Sequence, residues 1–98
     1  MTTFRLEDFT PRLGDDFVLE EAELEGLSLI LTSAAPMPSQ FPRPDGHQPF
    51  SLQFVGRDGG VLPQKIYRLR HERLGAIDIF LVPSAQDARG TRYEATFN

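Results

Sequence analysis

The 98-residue chain has room for one domain around one hydrophobic core, and its 40% apolar and 24% charged residues are those of a globular protein. Cysteine is absent, which excludes a disulfide framework, thiolate zinc sites and thiol catalysis, and a reducing cytosol is the simplest home. A formal charge of −4 disfavours nucleic acid as the main partner, because neutralising phosphates takes a basic surplus on some face.

The start, "MTTFRLEDF", has no basic region followed by an apolar stretch, and no apolar run reaches membrane-spanning length. The expectation is a cytoplasmic protein without a membrane partner. "TTFRLEDFTPRLG" spaces Leu6, Phe9 and Leu13 helically, with Thr3 as N-cap, Pro11 opening a second turn behind Thr10 and Gly14 as the stop. This predicts a short helical cap within residues 1–14, laying apolar side chains over one end of a β domain.

From Asp16 the period changes to two. "DFVLEE" sets Phe17 and Leu19 against Val18 and Glu20, and "LEGLSLILTSA" sets Leu27, Leu29 and Leu31 against Ser28, Ile30 and Thr32. The acidic run through Glu20, Glu21, Glu23 and Glu25 reads as a solvated turn between two strands, without the spacing of a calcium loop. Residues 35–49 hold five prolines and are expected to form a long, partly polyproline-like loop.

Four further strands follow. "PFSLQFVG" puts Phe50, Leu52 and Phe54 on one face, and "RDGG" reads as a hairpin turn. "QKIYRLRH" sets Tyr67, Leu69 and His71 against Arg68 and Arg70. "AIDIFLV" sets Ile77, Ile79 and Leu81 against Asp78, Phe80 and Val82, and after the loop "PSAQDARG", "TRYEATF" sets Tyr93, Ala95 and Phe97 against Arg92, Glu94 and Thr96. Links this short predict an antiparallel meander in the C-terminal half. The fold class is therefore mostly β: a single domain over 1–98, about six antiparallel strands in a small barrel or compact sandwich, with the barrel favoured.

No catalytic constellation emerges. Ser84, Asp87 and His71 offer a nucleophile, a carboxylate and a base, but without the G-x-S-x-G elbow. His47 and His71 lie outside any zinc motif, and a histidine at a strand end is ordinarily a satisfied polar residue. The glycines of "GRDGGVLP" are followed by neither Lys-Ser/Thr nor a helix, so they form no phosphate loop. No cofactor or metal is expected, and the chain is read as noncatalytic.

The candidate interaction residues are Phe80, Val82, Phe41, His47, Arg68 and Arg70. Phe80 and Val82 make their strand apolar on both faces, so the helix or the proline loop covers them, the favoured reading, or they form an uncovered strip used in association. Arg68 and Arg70 read first as a charge ladder facing Asp78 and Glu94. Phe41 and His47, with Tyr67 and Tyr93, are the residues that would line the mouth of a barrel.

"PFSLQFVG", "LPQKIYRLRHERLGAIDIFLVP", the terminal "RYEATFN" and "LEDFTPRLGDDF" near the start resemble a family of small uncharacterised bacterial proteins, sometimes encoded near phage tail-collar-like proteins. The resemblance implies a structural or assembly accessory, in the cytoplasm or in a phage-like particle. The leading expectation is a noncatalytic protein-binding or assembly module with a protein partner or a second copy; the alternative is a small-ligand or carbohydrate-binding barrel.

Overall fold

The computed structural model describes residues 4–20, 27–37, 49–56 and 61–97. Six antiparallel strands, β1 (Asp16–Leu19), β2 (Ser28–Pro36), β3 (Phe50–Gly56), β4 (Lys65–His71), β5 (Gly75–Asp87) and β6 (Gly90–Phe97), close a barrel in the order β1-β2-β3-β6-β5-β4. The β1–β4 seam closes through Val18 opposite Arg70 and Leu19 opposite Leu69. Closure removes the open sheet edges that so small a β domain would otherwise expose.

Alternation places the core. Phe17, Leu29, Leu31, Phe50, Leu52, Phe54, Tyr67, Leu69, Ile77, Ile79, Leu81 and Tyr93 all point inward and are buried, as the period-two reading requires; Phe97, read the same way, is partly buried. At roughly 1.5–3 kcal/mol for each large apolar side chain, this burial is the main force opposing chain entropy.

The meander is present as β4–β5–β6 but does not include β3. β3 pairs with β2 and β6, and β4 with β1 and β5, so β3 and β4 are not hairpin partners; "RDGG" itself lies outside the described residues. In the ring β3 and β4 stand opposite each other, and residues 61–64 lead into β4. Leu62 packs under the core there. Its N–H donates to the Tyr93 hydroxyl at 2.8 Å, while the Tyr67 hydroxyl donates to the Pro63 carbonyl at 2.5 Å. The two phenols therefore fix the Leu62–Pro63 segment ahead of β4, a role that alternation alone does not report.

At one end α1 (Leu6–Phe9) and a 3-10 turn (Thr10–Arg12) cap the barrel. The N-cap is Arg5 rather than Thr3, which lies outside the described residues; the Arg5 N–H donates to the Asp8 carboxylate at 2.8 Å. Phe9 is fully buried, but the tighter 3-10 turn carries Leu13 off the apolar face and leaves it exposed. Gly14 ends the segment at φ +89°, a conformation open to glycine, and its N–H bonds to the Leu31 carbonyl at 2.7 Å.

Two strands outrun their predicted ends. β2 continues through Ala35 and Pro36, paired with Ser51 and Phe50, so the proline-rich segment is shorter than 35–49. β5 continues through most of "PSAQDARG", because the register shift between Pro83 and Ala85 accommodates a residue that cannot donate to the ladder. Only Ala88 and Arg89 separate β5 from β6.

Candidate functional site

The outer wall of β4 and β5 gathers four of the six candidate residues on one surface. On β4, Ile66, Arg68 and Arg70 face outward; on β5, Asp78, Phe80 and Val82 do. Phe80 stands directly opposite Ile66, and the two are 45% and 62% exposed. Val82, half-buried, extends the apolar strip. Of the two expected covers, the helix does not reach Phe80: it packs at the barrel end, with Phe9 against Phe17, Phe50 and Phe97, and the proline loop lies largely outside the described residues.

Ile66 is missing from the sequence-derived candidates although its signal was present, since it lies two residues from Arg68 and so shares its face. Phe41 and His47 lie outside the described residues. Tyr67 and Tyr93 are interior residues whose hydroxyls hold the Leu62–Pro63 segment.

Ion pairs flank the apolar strip. The Arg68 Nε donates to the Asp78 carboxylate at 3.0 Å across directly paired positions, as the charge ladder predicts. Arg70 departs from it: its partner is Glu20, past the end of β1, while Glu94 lies opposite Val82 and Gln53. Both arginines are thereby neutralised within the molecule, and the strip is bordered by polar groups of little net charge.

The hydrogen bond from Arg68 holds the Asp78 carboxyl below its ordinary range, and raises the Arg68 guanidinium in turn. A carboxyl whose folded value is depressed stabilises the fold above its unfolded value, and that contribution disappears as pH falls through the folded value. Because both groups are exposed, salt screens the effect. Urea midpoints of Arg68→Gln should differ slightly from wild type at neutral pH in low salt and converge with it in strong acid or high salt; a gap that persists in acid would refute the electrostatic assignment.

His71 is committed elsewhere. Its Nδ1 accepts the N–H groups of Arg73 and Leu74 at 3.0 and 3.2 Å, and its Nε2 meets the Asp15 carboxylate at 2.8 Å. Neither ring nitrogen is left to serve as a base for Ser84, whose hydroxyl donates to the Arg92 carbonyl. Among the described residues no helix is long and apolar enough to cross a membrane.

No curated protein and no solved structure matches the chain. The family models give one assignment, covering nearly every residue discussed above: the chain belongs to the family described as "Domain of unknown function (DUF6916)", whose model matches residues 4–97.

Proposed function

We propose that this domain is a noncatalytic protein-binding or assembly module that docks through the outer wall of β4 and β5. The observation that carries the reading is the exposed cross-strand pair Ile66–Phe80, continued by Val82 and bordered by internally paired charges. An apolar centre within a polar rim of low net charge suits a protein partner, whereas a phosphate backbone calls for free cations. Burial of Tyr67 and Tyr93 supports an outer docking wall over an interior that holds a ligand or sugar. The resemblance to proteins encoded near phage tail-collar-like proteins makes an accessory of a phage-tail-like particle the specific form proposed.

Size-exclusion chromatography with light scattering, alone and with purified products of the adjacent genes, tests the proposal. A complex is expected with wild type and is lost in Ile66→Lys and Phe80→Lys, while thermal melts stay close to wild type because both sites are on the outer face. A strict monomer that binds none of those products, or a complex indifferent to both substitutions, refutes it.

A further inference from the structure

The β5–β6 tip builds a second feature on a different part of the wall. Beyond the shift at Pro83 the hairpin ends in Ala88 and Arg89, and these two, with Ile30, Thr32 and Val55 of β2 and β3, line a cleft of about 620 Å³. That volume is in the range of ligand-binding clefts. Ile30 and Val55 are directly opposite in register and give the cleft its apolar lining. The cleft is partly open to solvent.

Charge at the tip is unbalanced. Asp87 Oδ1 accepts the Arg89 N–H at 2.8 Å, and Oδ2 accepts from the Arg92 guanidinium at 3.0 Å. The one carboxylate of the tip is thus used by the turn and by Arg92, and the Arg89 guanidinium has no anionic partner among the described residues. A guanidinium beside an apolar lining complements a group that carries an apolar side chain and a carboxylate together.

We propose that this cleft captures the C-terminal residue of a partner polypeptide, its side chain on Ile30 and Val55 and its terminal carboxylate on Arg89. A C-terminal residue bears both groups on one carbon, and the partial opening lets the preceding chain leave into solvent. A small free apolar acid would fill only part of the cleft's volume; an internal acidic side chain separates the charge from its apolar neighbour.

The test is a titration of the whole domain, followed by amide NMR, with the N-acetylated peptide Ala-Ala-Leu as free acid, as C-terminal amide, and with 4-methylpentanoate. Expected are shifts at Ile30, Thr32, Val55 and Ala88, roughly tenfold weaker binding of the amide, and loss of that distinction in Arg89→Gln. Arg89 lies in an exposed turn held by its main-chain N–H, so the variant should retain the wild-type melt. Equal binding of acid and amide by wild type, shifts elsewhere, or no shifts at millimolar peptide would overturn the proposal. Binding of 4-methylpentanoate as tight as the free peptide would overturn the assignment to a polypeptide end.

Discussion

Phe9→Ala is expected to lower the stability of the domain by about 3–5 kcal/mol, a large share of the roughly 5–15 kcal/mol that holds a typical domain together. Phe9 is the single fully buried side chain of the helical cap. Its ring centroid lies 5.9, 6.4, 5.7 and 5.6 Å from those of Phe4, Phe17, Phe50 and Phe97, the last two being themselves stacked at 4.8 Å. Truncation removes the transfer energy of the ring and leaves a void that rigid strand ends cannot collapse into. Phe9→Leu, which refills part of the space, should lose less, and Leu13→Ala, at an exposed position, should stay within about 0.5 kcal/mol of wild type. Urea unfolding at equilibrium decides the matter. A Phe9→Ala loss under about 1 kcal/mol would mean that the cap does not close the barrel end, and the short helix would then be an appendage rather than part of the core.

How far the sequence alone reports this molecule depends on whether a feature is a face or a neighbour. Alternation placed Leu29 and Leu31, Phe50, Leu52 and Phe54, and Ile77, Ile79 and Leu81 correctly inside, because the side chain's direction follows from the pleat. It is silent on which strand lies beside which. The β3–β6 ladder joins Phe50 to Phe97, Leu62 is held by a bond to Tyr93, 31 positions away, and the Arg70–Glu20 pair joins residues 50 apart. The same division applies to the candidate site. Phe80, Val82, Arg68 and Arg70 were legible as one outward face, and Ile66 would have been by the same rule; that the helix leaves this wall uncovered was not, because the direction in which the cap docks is set by where Phe9 finds its aromatic partners.

His71 shows what a strand-end histidine can do once its neighbours are known, and its replacement should have the second large effect. The ring is 3% exposed and packs 4.7 Å from the Phe17 ring. Because Nδ1 accepts two main-chain N–H groups it carries no proton, so the proton resides on Nε2 and is donated to Asp15. One side chain thereby ties the β4–β5 turn, which runs into Gly75 at φ +78° at the start of β5, to the segment that leads from the cap into β1. His71→Ala loses the ring and both sets of bonds and should cost about 2–4 kcal/mol. His71→Asn offers the turn an acceptor near the Nδ1 position but abandons Asp15, and His71→Gln reaches toward Asp15 but abandons the turn. Since two bonds are made at Nδ1 and one at Nε2, with Asp15 half-exposed and able to return to water, asparagine should retain more stability than glutamine. Asp15→Asn still accepts from Nε2 and should lose less than either. Denaturant midpoints rank the four variants, and long-range nitrogen–proton NMR spectra read the tautomer directly. A proton found on Nδ1, or glutamine outperforming asparagine, would mean that the Asp15 contact, not the turn, is what this histidine is there to make.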